Sequence, residues 1–205
     1  MGKPTVHGPK YSTYTRTVCM ALDIKGVPFA QDEIDIMKPR TAGHMKMQPF
    51  GKVPVLEHDG FTLYETGAIA RYIDDAFPGA KLQPADTKSR ARMNQIVGIL
   101  DSYAYPSMIS TVTIQRLFAP KADEAKVAEA MKTAETSLDA LEGLIGDQSC
   151  MAGPDPSLAD LMAVPIFDYF ERTPEGKSAI AKRPKVAAWW RRIQQHPAVA
   201  KTKFG

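Results

Sequence analysis

One change of pattern constrains the fold of this chain more than any other feature. Up to about residue 77, short segments that alternate apolar and polar residues, as strands do, are interleaved with segments of helical period. Residues 77–84 are rich in proline and glycine, and beyond them every apolar-periodic segment has the helical period. We therefore predict a two-domain α+β protein, with an α/β domain over residues 1–77, a linker over 78–88 and an all-helical domain over 89–205.

The α/β domain is predicted to begin with a βαβ unit. A short strand precedes a helix that Gly26 ends, and a segment of alternating residues follows. A hairpin comes next, because His58-Asp59-Gly60 separates two apolar runs. The predicted elements are a strand over 5–7, a helix over 15–25, a strand over 27–36, an irregular segment over 38–48, hairpin strands near 53–56 and 61–63, and a helix over 66–76.

The helical domain is predicted from the regular spacing of its apolar residues. One face repeats at i, i+3, i+4 and i+7, and the helix that carries it is expected to kink at Pro106. Ser157 and Asp160 form a capping box at the start of a further helix. The predicted core faces are Met93, Ile96, Val97 and Leu100 in one helix, and Val127, Met131, Ala134, Leu138, Leu141 and Ile145 in the next.

Composition excludes several classes of function. With 44% hydrophobic and 24% charged residues the chain has the profile of a globular protein, and a net charge of +3 is too small to indicate nucleic-acid binding. We expect no membrane span, because no apolar run approaches the required length. Two cysteines without a C-x-x-C motif indicate a cytoplasmic protein, and four histidines without ligand spacing indicate no metal.

Two segments carry residues suited to binding a small peptide. Val53-Pro54 precedes an apolar run, and its bond could be trans, opening an edge strand, or cis, which would turn the backbone groups of Val53 outward. Glu65-Thr66 precedes a helix, where the pair could simply cap it or could bind a carboxylate and an ammonium. Arg40 and Lys52 could supply cations for a second carboxylate, or could face solvent.

A hydroxyl group stands where the first helix begins. Ser12 or Thr13 could be no more than the N-cap residue. The same hydroxyl could instead donate to an anion, since a helix N-terminus attracts negative charge. If that anion is a thiolate, the thiol pKa falls below its usual value of ~8.5. Cys19 is expected to be a buried core thiol and Cys150 has no evident partner, so neither is predicted to be the nucleophile.

Together these residues resemble the cytosolic glutathione transferases, most closely the phi-like, serine-type members. The resemblance extends over essentially the whole chain, and no single motif would establish it. It implies a thioredoxin-like N-terminal domain with a mixed four-stranded sheet, followed by an all-helical domain that forms the electrophile pocket. Four segments carry it: Tyr11 to Val18, Gln48 to Pro54, Leu63 to Ile69, and Ser157 to Asp160.

The resemblance assigns roles to individual residues. Ser12 matches the hydroxyl that hydrogen-bonds the glutathione sulfur, although Tyr11 lies beside it and other classes use tyrosine. The glutathione-binding set it implies is Tyr11, Arg40, Lys52, Val53, Pro54 in cis, Glu65 and Thr66, and the candidate electrophile pocket is Met108, Thr111, Gln115 and Phe118. Either Arg40 or Lys52 would hold the glycyl carboxylate.

The implied activity is transfer of glutathione to hydrophobic electrophiles. The resemblance also implies a homodimer, a role in detoxification, and a compatible glutathione peroxidase side activity. Two alternatives remain: a non-catalytic binding or regulatory module with this fold, and a specialised isomerase or dehalogenase. An intact set of Ser12, Pro54, Glu65 and Thr66 argues against the first. The pocket residues, which would test the second, cannot be placed from sequence.

Overall fold

A computed structural model describes residues 2–203 of the chain. These residues form two compact units, the first comprising residues 2–83 with 197–203 and the second residues 84–196. The division falls inside the predicted linker. The C-terminal residues are a correction to the sequence prediction, which placed them in the helical domain. Helix α9 (Pro197–Thr202) belongs to the first unit because it packs on α1 (Thr13–Ile24), where Lys201 lies 3.4 Å from Asp23.

A four-stranded mixed sheet forms the centre of the first unit. Its strands are β1 (Thr5–His7), β2 (Ala30–Asp32), β3 (Val55–His58) and β4 (Phe61–Tyr64), in the spatial order β2-β1-β3-β4. Strand β1 is parallel to β2 and antiparallel to β3, and β3 is antiparallel to β4. The predicted βαβ unit and hairpin are therefore present, and the mixed four-stranded sheet that the resemblance implies is confirmed.

The hairpin turn follows directly from its sequence. Asp59 and Gly60 have φ angles of 49° and 79°, so both lie in the left-handed region. Two consecutive residues with positive φ make the type of two-residue turn that matches the twist of the flanking strands. Buried Val6 and Leu56, which are register partners, form part of the core behind the sheet.

Two elements of the first unit differ from the sequence prediction. Strand β2 spans only Ala30–Asp32, because its single partner strand is three residues long. The region predicted to be irregular contains helix α2 (Ala42–Met47), whose N-cap is Thr41. The Thr41 side chain accepts a hydrogen bond from the amide of His44, which satisfies one of the free donors at the helix start. Helix α3 (Thr66–Ala76) has the predicted bounds.

The second unit is helical throughout. Helix α4 (Thr87–Ile99) continues into a π-helical segment, Leu100–Phe118, which contains Pro106. The wider winding shows in bonds that span five residues, such as Ala119 N–H to the carbonyl oxygen of Ile114. The remaining helices are α5 (Glu124–Ile145), α6 (Leu158–Phe170), α7 (Pro174–Ala181) and α8 (Pro184–Ile193).

The predicted apolar faces lie in the core of the second unit, except that Met131 is only half-buried. Met93, Ile96 and Leu100 have no exposed surface, and Val127, Leu138, Leu141 and Ile145 are buried too. Asp160 completes the predicted capping box by accepting from the amide of Ser157, and it also accepts from the indole of Trp189 at 2.7 Å. Across residues 2–203, no helix combines the length and apolar character needed to cross a membrane.

Candidate active site

The sheet register brings the predicted glutathione-binding segments to one end of the first unit. His7, Val55 and Tyr64 form one row across β1, β3 and β4. Beyond His7, at the end of β1, the chain continues to Ser12. Beyond Tyr64, at the end of β4, it continues to Glu65. It enters the row from Val53-Pro54 at the start of β3. Three segments distant in sequence therefore adjoin one another at this edge.

Ser12 is the N-cap of α1. Its Oγ accepts from the amide of Thr15 at 3.4 Å, a long and weak contact, and its side chain is half-buried. The hydroxyl proton is not used by this contact, so Oγ–H can still donate to a ligand while the oxygen caps the helix. The two interpretations left open by the sequence are therefore compatible with one another.

The Val53–Pro54 peptide bond is cis, as the resemblance implied. Pro54 is buried and Val53 is half-buried at the start of β3. Ahead of it, Gly51 has a φ angle of 64°, in the left-handed region that favours glycine. Its amide donates to the carbonyl oxygen of Gln48 at 3.0 Å, which closes the turn that follows α2.

Glu65 has an unusual backbone conformation. Its φ angle of 70° is uncommon for a residue with a side chain, and such residues are enriched at functional sites. It occupies the N-cap position of α3, yet its side chain does not cap the helix. Thr66, the first helical residue, is buried. Without a side-chain cap, the amides of the first turn of α3 remain suited to binding a carboxylate.

Arg40 is committed to the backbone of its own loop. Its guanidinium donates to the carbonyl oxygens of Asp35, Ile36 and Lys38, each at 2.8 Å, and to that of Gly51 at 3.1 Å. These contacts use four of its five N–H donors, so it cannot also bind a carboxylate through two N–H groups. Lys52 is exposed, and within residues 2–203 its ammonium has no ion-pair partner.

Comparison with known proteins agrees with this arrangement. Residues 6–81 match the family described as the glutathione S-transferase N-terminal domain, and residues 105–197 match its C-terminal domain. The chain is 30% identical to glutathione S-transferase F10 of Arabidopsis thaliana over 203 residues, which cover 95% of this chain and 93% of the relative. The chain belongs to the glutathione S-transferase family.

Relatives of the plant phi (F) class recur in these comparisons. Glutathione S-transferase F9 of Arabidopsis thaliana is 29% identical over 97% of each chain. The crystal structure of glutathione transferase F7 from Populus trichocarpa superposes with a TM-score of 0.88 at 27% identity, covering 97% of each chain. The sequence-based assignments of family, fold and transferase activity are therefore confirmed.

The transferase does not gather all four candidate electrophile residues on one accessible surface. Met108 has no exposed surface and packs in the helical core, so its assignment to the pocket is corrected. Thr111 lines a groove of about 400 Å³ between the π-helical segment and α5. The Gln115 side chain accepts from the amide of Asp123 at 2.8 Å, whereas Phe118 is 63% exposed.

Neither cysteine of the transferase is an activated thiol. Burial, together with the negative charge of Asp23, raises the pKa of Cys19 to about 12. Burial likewise raises the pKa of Cys150 to about 12. A thiol that does not ionise near neutral pH is a poor nucleophile. Among residues 2–203, no cluster of three or more His, Cys, Asp or Glu side chains could hold a metal ion.

Sequence reasoning assigned no role to two buried polar residues beside the site. His44 and Gln48 are 4% and 1% exposed, and both contact the segment that leads to Val53. Their signal is the spacing of four residues that links Arg40, His44 and Gln48, which is typical of one helical face. It was overlooked because this region contains proline and glycine and was interpreted as irregular.

Proposed function

We propose that the transferase binds glutathione along the edge formed by Ser12, Val53 and Glu65 and activates its thiol as a thiolate. The observation that supports this most directly is the row of His7, Val55 and Tyr64, from which all three segments extend. The Ser12 hydroxyl donates to the sulfur, next to the N-terminus of α1. Both contacts favour the ionised thiol and lower its pKa.

The two charged ends of the peptide bind at opposite sides of this sulfur site. The γ-glutamyl carboxylate accepts from the first-turn amides of α3 and from Thr66, while Glu65 pairs with the ammonium. The backbone of Val53 pairs with the cysteinyl portion. Lys52, which is exposed, holds the glycyl carboxylate. Arg40 is excluded from that role because its donors are used within its own loop.

The bound thiolate then attacks the electrophilic carbon of a hydrophobic substrate. A carbon–sulfur bond forms, the leaving group departs with the electron pair, and the thiol proton has already passed to solvent. Rate comes from the ionised sulfur and from holding it close to the electrophile. We assign Thr111, Gln115 and Phe118 as candidate contacts of that second substrate. The biological role that follows is detoxification, in the cytoplasm.

The test is conjugation of glutathione to 1-chloro-2,4-dinitrobenzene, followed by absorbance. Ser12→Ala should lower kcat/KM by roughly 10- to 100-fold, because a hydrogen bond to a charged group is worth about 1.5–3 kcal/mol. It should also raise the pKa of the bound thiol, measured from thiolate absorbance against pH. Tyr11→Phe should retain activity. Loss in Tyr11→Phe with retention in Ser12→Ala would assign the thiol contact to tyrosine instead.

A peroxidase side activity uses the same thiolate. The sulfur attacks one oxygen of a hydroperoxide, the O–O bond breaks and an alcohol leaves, so that glutathione becomes a sulfenic acid. A second glutathione then displaces water and forms glutathione disulfide. The rate at which cumene hydroperoxide oxidises glutathione to its disulfide should fall in Ser12→Ala in parallel with the rate of conjugation. Peroxidase activity that survives this substitution would contradict a shared thiolate.

We also propose that the transferase is a homodimer. The first unit exposes several large apolar side chains, among them Met45 at 41%, Phe50 at 69% and Phe61 at 49% of their surface. Exposed aromatic residues of this size are typical of interfaces. Light scattering should give twice the 22.5 kDa chain mass, and Phe50→Ser should shift it toward the monomer. A monomeric native protein would contradict the proposal.

A further inference from the structure

Three polar side chains, one within helix α2 and one on either side of it, contact three consecutive residues of the segment that follows the helix. Arg40, His44 and Gln48 are spaced four residues apart, and we call them the α2 polar row. Arg40 Nε donates to the carbonyl oxygen of Gly51 at 3.1 Å, and His44 Nε2 lies 2.8 Å from that of Lys52.

Gln48 completes the row from the other direction. Its Oε1 accepts from the amide of Phe50 at 2.6 Å, while its own carbonyl oxygen accepts from the amide of Gly51 at 3.0 Å. Four backbone groups of residues 50–52 are therefore bound by α2 and its flanking residues.

These contacts replace the hydrogen bonds that regular structure would provide. Residues 50–54 belong to neither a helix nor a strand, so their backbone groups have no ladder partners. The row supplies partners for these groups from the buried side chains of His44 and Gln48 and the half-buried side chain of Arg40. His44 and Gln48 are more than nine-tenths buried, so solvent cannot easily replace them.

The hydrogen bond from His44 to the Lys52 carbonyl oxygen shows which ring nitrogen carries a proton. A carbonyl oxygen can only accept, so the Nε2 of His44 carries the proton. Nδ1 is buried and has no hydrogen-bond partner among the described residues. The ring therefore contributes one directed donor and nothing else, which suits a role in shaping the backbone. Arg40 also directs one donor, Nε–H, at the segment, while three further N–H groups bind the carbonyl oxygens of its own loop.

We propose that the α2 polar row comprises positioning residues, which hold residues 50–52 so that Val53 presents its backbone to the cysteinyl portion of glutathione. This inference rests on the proposed function. Arg40 and His44 act on affinity through the backbone and touch no part of the ligand. Lys52, in contrast, contacts the glycyl carboxylate directly. The two kinds of residue therefore differ in whether their effect depends on that carboxylate.

The test compares two ligands, glutathione and its glycyl monoethyl ester, by titration calorimetry. His44→Leu and Arg40→Lys should each weaken the binding of both ligands by the same factor, about tenfold, since a backbone carbonyl oxygen of the segment loses its donor. Lys52→Met should weaken glutathione and leave the affinity for the ester unchanged. His44→Gln, whose amide can donate to the Lys52 carbonyl oxygen, should recover most of the loss.

Amide hydrogen exchange separates local positioning from general destabilisation. In His44→Leu, exchange should accelerate in residues 50–53 and remain unchanged in α3 and the helical unit. Arg40→Lys that weakens glutathione but not the ester would overturn the inference, as would His44→Leu with native affinity for both ligands. If the native protein binds neither ligand, the proposed function fails, whereas the exchange measurement still tests whether the row holds the segment.

Discussion

The ammonium nitrogen of Lys25 lies 3.0 Å from Oδ1 of Asp74, and both side chains are buried. Lys25 also donates to the carbonyl oxygen of Asp74, and the carboxylate accepts from the amides of Leu82 and Gln83. This network joins the ends of α1 and α3 to the last residues of the first unit before the chain enters the second.

Breaking this pair should strongly destabilise the first unit. Lys25→Met leaves a buried carboxylate without its counter-charge, so the free energy of unfolding should fall by about 3–5 kcal/mol, measured by urea denaturation. Lys81 provides a matched control, because its exposed ammonium lies 3.4 Å from the Asp74 carbonyl oxygen. Lys81→Met should change stability by no more than about 0.5 kcal/mol. Equal effects of the two substitutions would contradict the prediction.

The same carboxylate should make stability depend on pH in acid. Burial opposes ionisation of Asp74, but hydrogen bonds from Leu82, Lys25 and Gln83 outweigh it and hold the pKa below its ordinary value. Its contribution is therefore fully present above the unfolded pKa of about 3.9 and is lost as the pH falls from there through the folded pKa. Urea denaturation between about pH 2 and pH 5 should show that the free energy of unfolding depends less steeply on pH in Asp74→Asn than in native protein. An unchanged slope would exclude Asp74 as a contributor.

Both cysteines should resist modification in the folded protein. With a pKa of about 12 for Cys19 and for Cys150, the thiolate fraction at pH 8 is on the order of 10⁻⁴. Ellman's reagent should label two thiols rapidly in guanidinium and both slowly under native conditions. Cys19→Ala should retain conjugating activity. Rapid native labelling together with loss of activity in Cys19→Ala would overturn the assignment of Ser12.

Glycine substitutions should change stability with opposite signs, depending on backbone conformation. Gly98 in α4 and Gly143 in α5 have no neighbour within 4 Å of an added Cβ, so alanine should stabilise each helix by about 0.5–1 kcal/mol. Gly26 has equally open space but a φ angle of 69°, in the left-handed region. Gly26→Ala should therefore be destabilising. Thermal unfolding of the three variants measures the sign, and a stabilising Gly26→Ala would refute the conformational argument.

The approach of β1 to α1 leaves no room for a side chain at Gly8. An added Cβ would lie 2.4 Å from Oγ1 of Thr15, which is fully buried in the first turn of α1. Gly8→Ala should lower the free energy of unfolding by about 1–3 kcal/mol. It should also reduce the rate of conjugation, because it displaces the turn that Ser12 caps. Thr15→Ala removes the obstructing atoms, so the double variant should lose less than the sum of the single losses. Additive losses of stability would show that the contact between position 8 and Thr15 does not cause the destabilisation.

Much of the first unit was predictable because its signals are local. The strand at Thr5–His7, the Asp59-Gly60 turn and the helix at Thr66–Ala76 have the predicted positions. Each depends on residues within a few positions of one another, such as turn residues with positive φ. Helix α2 was not predicted, since its six residues follow proline-containing sequence and one of them, His44, makes a contact with Lys52 that local patterns do not show.

The residues of the candidate site divide in the same way, into those that local motifs identify and those whose contacts only the folded structure shows. Ser12, Pro54, Glu65 and Thr66 were identified from their motifs and from the resemblance to the family. Arg40 was one of two candidates for the glycyl carboxylate, together with Lys52, because the resemblance places both near that carboxylate. Only the folded loop shows that its donors bind four carbonyl oxygens. Met108 was likewise given a place in a pocket, although helical packing buries it completely.

The sequence by itself determined the family, the order of helices and strands, and which residue types could bind glutathione. These properties depend on periodicity and on short motifs. The tertiary structure decided which polar side chains remain accessible to a ligand and which bind the protein's own backbone. That choice depends on hydrogen bonds between different segments of the chain, as between His44 and Lys52 or between Lys25 and Asp74, and local patterns do not specify such contacts.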